Sequence, residues 1–495
     1  MSAARVHGRR VQRGATRRRR GYAAASAGLA LVMVIGPQPT LAQEPGDPLL
    51  LEEVLASIEA TYPPLLGARI ERDVLEGRLR TARGLFDLDL FGSAKGTPDG
   101  YYEYTTVEAG VAQFLGIWGA TVYGGYRRTT GEELPAYYAQ RTRADGEATV
   151  GVSVPVLQGG WTDPARTEIR RAEIDLRGAE PYVRRQRLDF VRAGTVAYFK
   201  WLAAGQKLQY ARDLLRLATE RTAALDDLVG AGLQAEIVLV DNRRLVVARE
   251  IAVLDAERVF QAAAVALSLF FRDPQGAPVT PTESRLPPGF PDPGSEPVYE
   301  AESGLALALA QRPELERLRL TVERTEAELG LARNGLLPRL DASVETTRAW
   351  GERLYSDRPT AELRAGLSFK LPLQQRKARG KVQEVSGKLE QARWALQFAE
   401  DGVAADVRTA LVALEAARGQ VARAELNVEL ALELEEAERA RFGAGSSDLL
   451  DLQIREQVTF DARAKAAEAS LEYFTAIAAY RAAVAAPPTG GIEEG

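Results

Sequence analysis

The chain has 495 residues, of which 46% are hydrophobic and 26% are charged, and its formal net charge is -5. The length allows more than one ordinary domain, and the hydrophobic fraction is normal for a folded protein. The acidic balance argues against a nucleic-acid partner, because nucleic-acid binding usually needs a basic surface.

A basic segment precedes a short apolar stretch at the N-terminus. The run Arg17–Arg20 is followed by the apolar stretch Tyr22–Gly36 and by an acceptable cleavage site at Thr40-Leu41-Ala42. This order is typical of a secretory signal peptide. The apolar stretch is shorter than the roughly 20 residues that a membrane-spanning helix needs. We therefore predict that residues 1–42 are a signal peptide and that the protein is exported.

Loss of the signal peptide also removes several kinds of reactive side chain. The only histidine, His7, and both methionines, Met1 and Met33, lie within it, and the chain contains no cysteine. Disulfides are therefore excluded, as are zinc sites built on imidazole or thiolate and His-dependent nucleophilic catalysis. We expect no enzyme activity, no cofactor and no metal site.

The rest of the chain has no apolar run long enough for a membrane-spanning helix. The best candidate, Ala262 to Phe271, is too short. Only helices and closed barrels satisfy the backbone in lipid. An exported chain of this kind is therefore either soluble or crosses the outer membrane as a β-barrel.

Three short motifs occur twice along the chain, in the same order. The first-copy motifs are Ala82-Arg83-Gly84-Leu85, Ser153-Val154-Pro155-Val156 and Gly230-Ala231-Gly232, and their counterparts are Ala332-Arg333-Asn334-Gly335, Phe369-Lys370-Leu371-Pro372-Leu373 and Gly443-Ala444-Gly445. The alanines that open the first pair are 250 residues apart, the prolines of the second pair are 217 apart, and the first glycines of the third pair are 213 apart. These ordered offsets imply an internal duplication. The drop from 250 to 217 implies 33 extra residues in the first copy, within Lys95 to Arg143.

The duplication sets the expected domain boundaries. Residues 43–272 and 298–486 are the two repeats, each with a helix, strands and two long helices. Between them, residues 273–297 are dense in proline, which cannot continue a helix and favours an extended linker. We expect residues 487–495 to be a disordered tail.

Two seven-residue series in the second repeat predict a long coiled-coil helix. One series is Leu389, Leu396, Val403, Ala410, Ala417, Ala424 and Ala431, and the other is Val407, Leu414, Val421 and Val428. Such paired series form a helical seam. Alanine in the seam allows neighbouring helices to approach closely. Taken alone, this seam also fits a free coiled coil or a helical bundle.

Strict alternation of apolar and polar residues predicts strands in both repeats. It runs from Ala148 to Val156 in the first repeat, and from Leu340 to Val344 and Ala361 to Leu371 in the second. Alternation over about ten residues is typical of strands that cross an outer membrane, with apolar side chains toward lipid and polar ones toward the lumen. Tyrosines near the strand ends resemble an interfacial aromatic girdle; they are Tyr101, Tyr102, Tyr104, Tyr123, Tyr126, Tyr137 and Tyr138.

These features together resemble the TolC family of outer-membrane efflux proteins over nearly the whole mature chain. The motifs that carry the resemblance are Leu336–Leu340, Leu367–Leu373, Val154–Gly160, Arg441–Leu450 and Arg455-Glu456-Gln457. The resemblance implies a mixed α/β membrane protein that assembles as a homotrimer. Its β-barrel would contain about four strands from each protomer and continue into a long α-helical coiled-coil barrel in the periplasm.

The family resemblance also implies a function and partners. The chain would be the exit duct of a tripartite efflux or type I secretion system. Its partners would be a periplasmic adaptor protein, an inner-membrane pump and outer-membrane lipid. The alternative is an exported coiled-coil structural or adhesive envelope protein, which would lack duplicated membrane strands and would not conduct ions. A soluble periplasmic adaptor fits this order of repeats poorly.

The resemblance places the candidate site at the turns between the long helices. In the family, acidic residues after the second turn line a constriction, which here carries over to Asp448 and Asp451. A ring of such carboxylates favours cations, although Asp448 is equally well placed to stabilise a helix start. Four glycines are expected to form the two turns: Gly230, Gly232, Gly443 and Gly445. Glu236 and Asp241, after the first turn, either contact an adaptor or are solvated charges.

Overall fold

The computed structural model describes residues 47–131, 141–295, 300–353 and 359–486. The predicted signal peptide, the predicted disordered tail, and Tyr137 and Tyr138 lie outside these ranges. In the first half of the chain the elements are α1 (Leu51–Thr61), α2 (Pro63–Arg83), β1 (Leu88–Thr97), β2 (Tyr104–Phe114), β3 (Thr121–Gly131), β4 (Glu147–Pro155), α3 (Pro164–Arg177), α4 (Ala179–Gly230) and α5 (Glu236–Ser268).

The second half has a similar order of elements. They are α6 (Ala301–Gln311), α7 (Pro313–Asn334), β5 (Arg339–Ala349), β6 (Ala361–Lys370), α8 (Arg376–Gly443) and α9 (Leu449–Ala483). Each half therefore passes from short helices through strands to a pair of long helices. No helix within the described ranges is long and apolar enough to cross a membrane.

In the part of the chain that the structure describes, the strands form one antiparallel sheet of six strands in the order β1-β2-β3-β4-β5-β6. The expectation of about four strands per chain is therefore wrong. The additional strands are β2 and β3, a hairpin paired from Tyr104↔Gly131 to Phe114↔Thr121. This hairpin lies within the segment of extra residues that the repeat offsets predict. It separates β1 from β4 and widens the sheet by two strands.

The strand register divides the sheet into an apolar and a polar face. Residues paired directly across strands point to the same face, and one such row is Val122, Val152, Val344 and Ala365. The adjacent row, Thr121, Ser153, Ser343 and Gly366, lies on the opposite face. The predicted alternation is thus confirmed, with Val152 and Leu367 on one face and Ser153 and Ser368 on the other. Apolar residues on the first face are strongly exposed, including Leu90 (82%), Leu363 (74%) and Leu367 (72%).

The polar face carries side chains that bond across the strands. Tyr123 Oη donates to Glu345 Oε2 over 2.9 Å, and Arg364 Nη1 donates to Glu345 Oε1 over 3.2 Å. Arg127 pairs with Glu147 at 2.5 Å on the same face. These contacts link side chains of four adjacent strands, β3 to β6, across the polar face.

The long helices form a single layer. Away from the sheet they pack in the order α5–α4–α9–α8, and next to the sheet in the order α2–α3–α7–α8. The predicted seam is confirmed for Leu389, Val403, Val407, Leu414, Ala417, Val421 and Ala431, which are all buried. Helix α8 has 68 residues, which corresponds to roughly 100 Å at 1.5 Å per residue.

An aromatic core fixes the middle of the helical layer. Trp201 of α4 is fully buried, and the rings of Phe199 and Phe474 stack with their centroids 4.5 Å apart. The described part of the proline-rich segment packs onto this core, because the ring of Phe290 stacks on both of those rings. Gly205 packs closely beside it, since a Cβ there would lie 2.5 Å from the end of the Leu286 side chain, which would have to shift. The segment is therefore a strap held on α4 and α9.

Candidate functional site

Both turns between the long helices lie at the same end of the layer, remote from the sheet. Three leucines from α4, α5 and α9 form a buried cluster there: Leu225, Leu239 and Leu449. Phe442 of α8 packs against them. The structure thus brings together the two segments that the repeat pattern singled out.

The glycines of the two turns fall into two classes. Gly232 has φ +72 and Gly445 has φ +73, in the left-handed region that side chains with a Cβ disfavour. Gly230 and Gly443 instead are the last residues of α4 and α8. A Cβ at any of the four would meet no atom within 4 Å, so backbone angle alone distinguishes the classes.

Asp448 and Asp451 begin α9 and are both exposed. Asp448 is the N-cap residue, and its Oδ1 accepts a hydrogen bond from the backbone N–H of Asp451 over 3.0 Å. Asp451 lies in the first helical turn, where a negative charge is favoured by the helix dipole. Within one chain, this geometry matches the helix-start interpretation of Asp448.

A buried glutamate, not anticipated from the sequence, holds the second turn. Glu438 is buried in α8, accepts a hydrogen bond from Ser447 Oγ, and pairs with Arg441 at 3.0 Å. One turn earlier, Glu435 is also buried and pairs with Arg439 at 2.5 Å. The sequence carried a signal for both residues. One further step of seven residues leads from Ala431 to Glu438 in the first apolar series and from Val428 to Glu435 in the second.

A second buried charge cluster links the two helical hairpins. Glu456 of α9 has only 1% of its side chain exposed and contacts Arg221 of α4 and Arg249 of α5. Arg249 Nη2 donates to Glu456 Oε2 over 2.9 Å, and Arg249 Nη1 donates to the Leu214 carbonyl over 2.7 Å. Burial lowers the pKa of Arg249 despite the opposing effect of Glu456.

The acids that follow the first turn form no comparable cluster. Glu236 is exposed at the start of α5, and Asp241 pairs with Arg244 at 3.3 Å. Among the residues described, no group of three or more metal-ligating side chains is found. Within one chain, this geometry matches the interpretation of Glu236 and Asp241 as solvated charges.

The helical layer and the sheet both end in uncovered edges. Helix α5 lies at one edge of the layer and carries exposed apolar residues that include Ile251 (63%) and Leu254 (65%). Helix α8 lies at the other edge and exposes Trp394 (68%) and Phe398 (78%). Among the described residues, β1 pairs only with β2, and β6 pairs only with β5. The edge strand β1 follows α2, and the edge strand β6 precedes α8. Each edge of the sheet therefore continues into a helix at the corresponding edge of the helical layer.

Comparisons with known proteins agree with this architecture. Residues 304–486 match the sequence model of the outer membrane efflux protein family. No curated protein sequence gives a significant match. Among solved structures, the open-state outer membrane channel MtrE of Neisseria gonorrhoeae has a TM-score of 0.65 at 16% identity, covering 89% of this chain and 90% of that one.

Two further structures are similar to the same extent. CusC, a protein that forms a transmembrane channel, has a TM-score of 0.63 at 14% identity, and the match covers 90% of this chain and 96% of that one. The outer membrane protein VceC of Vibrio cholerae has a TM-score of 0.62 at 15% identity, with coverage of 88% and 96%. The chain therefore has the fold of these outer-membrane channels.

Proposed function

We propose that this chain, whose second half carries an outer membrane efflux protein domain, is one subunit of a homotrimeric exit duct in the outer membrane. It would pass solutes from the periplasm to the outside without covalent chemistry. The observation that carries the proposal is that the sheet and the helical layer end at the same two uncovered edges. A single chain leaves these edges exposed, whereas a ring of chains covers all of them.

The two sheet edges are complementary to each other. β1 and β6 each have ten residues. β1 begins next to the helices and β6 ends next to them, so β1 of one chain and β6 of another would pair antiparallel. β6 alternates apolar and polar residues throughout, and β1 does so except at Phe91. Pairing in register would therefore continue the two faces of the sheet. The apolar face would meet lipid, and the polar face would line the duct.

The sheet and the helical layer have similar widths, so the same number of chains could close both of them into rings. Six strands spaced about 4.8 Å apart and tilted by about 40° occupy roughly 38 Å of a barrel circumference. Four helices spaced about 9 Å apart occupy roughly 36 Å. The two parts can therefore continue into each other without a large change of radius. Three copies of the six-stranded sheet would close a barrel of eighteen strands.

Closure would place the helical turns around the axis at the end remote from the membrane. Asp448 and Asp451 of three chains would then form two rings of carboxylates and favour cations at that constriction. Asp448 already caps α9, whereas the Asp451 carboxylate has no side-chain partner in the part of the chain that the structure describes. Asp451 is therefore the better placed of the two for the ring.

The same end offers a surface for the adaptor of a tripartite system. Leu233 (71% exposed) and Ile237 (70%) follow the first turn, and Leu450 (60%) follows the second. Exposed apolar side chains at an otherwise polar tip are a common basis for protein contacts. We assign the adaptor to this tip, with an inner-membrane pump beyond it. The exported product can be a small molecule or a polypeptide.

Fractionation and mass measurement test the proposal. The chain should be recovered in the outer-membrane fraction, migrate differently on gels with and without heating, and have about three times the mass of one chain after correction for bound detergent. Recovery as a monodisperse periplasmic monomer would contradict the proposed duct and favour an envelope protein of another kind.

A further inference from the structure

A cationic cavity lies where the sheet meets the helices. Its volume is about 1180 Å³, and it is bounded by α3, α7, the end of β6 and the first turns of α8. Eight of its lining residues are lysine or arginine, while the only acids among them are Glu168 and Glu328. The cavity therefore carries a large excess of positive charge, although the whole chain is acidic.

Part of this charge is balanced within the chain. Arg171 pairs with Glu168 at 2.8 Å and with Glu328 at 3.0 Å. Lys381 and Lys388 share a single carboxylate, that of Glu384, at 3.1 and 2.6 Å.

Arg324 pairs with Asp175 at 3.4 Å and Arg339 pairs with Asp341 at 2.6 Å. Three of the eight cations remain without a carboxylate. Lys370, Arg376 and Lys377 have none within 4.0 Å among the described residues. All three lie within eight positions of each other at the β6–α8 junction, and all are exposed. An anion entering the cavity would therefore meet charges that no internal acid neutralises.

Two of the lining residues, Arg339 and Lys370, lie on the polar face of the sheet. Lys370 of β6 lies directly opposite Arg339 of β5 in the strand register, and both residues point to the same face as Ser368 and Ser343. The apolar residues Leu367 and Phe369 point to the opposite face.

The lysines of α8 lie on a separate face from its exposed apolar edge. Lys377, Lys381 and Lys388 are four and seven positions apart, so they share one face of the helix. At about 100° per residue, that face is roughly 100° away from Trp394 and Phe398. Contacts between chains through that apolar edge would thus leave the cavity open.

We propose that this cavity binds an oxyanion, meaning a phosphate, sulfate or carboxylate group of a solute inside the duct. Lys370 and Lys377 supply point charges, and the planar guanidinium of Arg376 can bond two oxygens of the same group. The placement inside the duct rests on the proposed function, whereas oxyanion binding depends only on the cavity. A conducting trimer would have a cationic zone beside the membrane and an acidic zone at the far tip.

Titration with inorganic pyrophosphate tests the site. Calorimetry on the detergent-purified protein at low salt should detect binding. The triple variant Lys370→Gln/Arg376→Gln/Lys377→Gln should weaken it by at least about tenfold. A control variant with the same charge change, Arg216→Gln/Arg243→Gln/Arg258→Gln, removes exposed cations of α4 and α5 and should bind as the wild type does. Equal loss in both variants, or undiminished binding in the first, would overturn the site.

Lipid and conductance measurements separate this proposal from the duct itself. If phosphatidylglycerol in nanodiscs displaces pyrophosphate and phosphatidylcholine does not, the cavity faces lipid and the proposed solute site is wrong. In planar bilayers, the triple variant should shift the reversal potential toward cation preference in a salt gradient. An unshifted potential overturns the placement in the duct. A protein that binds pyrophosphate at this site but forms no channel contradicts the proposed function alone.

Discussion

The carboxylate of Glu456 in α9 accepts a hydrogen bond from Arg249 in α5 over 2.9 Å, although these residues belong to different halves of the chain. Arg221 of α4 contacts the other oxygen of the same carboxylate. One buried acid therefore joins the α4–α5 hairpin to the α8–α9 hairpin. It does so on the helical layer, between the aromatic core and the two turns.

Removal of the Glu456 carboxylate should strongly destabilise the protein. The variant Glu456→Ala leaves two arginines without their buried partner, and breaking a buried pair in this way costs about 3–5 kcal/mol. Thermal unfolding followed by circular dichroism should show a clearly lower midpoint than for Glu220→Ala, which breaks an exposed pair with Arg216. The triple replacement Arg221→Met/Arg249→Met/Glu456→Leu should recover most of the loss. Similar midpoints for the two single variants would contradict a structural role for the cluster.

The two faces of the sheet should respond differently to a new charge. Val152→Arg and Leu367→Arg place arginine on the face proposed to meet lipid, where a midplane arginine costs about 2–4 kcal/mol. Ser153→Arg and Ser368→Arg place it on the polar face and should be milder. The yield of heat-modifiable oligomer in outer membranes measures the difference. Equal yields from both pairs would show that the apolar face does not meet lipid.

The turn glycines should separate into two classes. Gly232→Ala and Gly445→Ala force a Cβ into the left-handed region, which costs about 1–2 kcal/mol. Gly230→Ala and Gly443→Ala fall at helix ends with open space around them and should be neutral or stabilise by up to about 1 kcal/mol. Thermal midpoints of the four variants check the order. If the thermal midpoint fell as much for Gly443→Ala as for Gly445→Ala, backbone angle would not explain the need for glycine. A steric contact with another chain would then be the cause.

The acidic residues at the start of α9 should control ion selectivity. Asp448→Asn/Asp451→Asn removes the proposed rings and should lower cation preference in planar bilayers, because three carboxylates around one axis attract cations. Block by multivalent cations added from the periplasmic side should also weaken. Asp448→Asn alone should have the smaller effect, since that residue caps the helix. If selectivity stays unchanged while the melting temperature falls, both residues only stabilise the helix start.

Much of the architecture could be predicted from residue patterns, because those patterns follow directly from burial. The seven-residue series located α8 and its buried face, and the alternation around Val152 and Leu367 located the two faces of the sheet. The strand count failed because β2, with Tyr104 at its start, has only short runs of alternation, and pairing with β3 makes it a strand. Glu456 belongs to the motif Arg455-Glu456-Gln457, which does not indicate its partners. Its two arginine partners lie more than 200 positions away in sequence, and no local pattern announces such a contact.

Crosslinking between the free edges of the sheet tests the central claim most directly. The chain contains no cysteine, so cysteines placed at Ala94 in β1 and, in separate variants, at Leu363, Ala365 or Leu367 in β6 report only on the intended contact. Mild oxidation in outer membranes should join chains in at least one of these pairs and give covalent trimers. Each single-cysteine variant should give none. Chains that stay monomeric in every pair, while the protein is folded in the membrane, would contradict closure of the sheet across three copies.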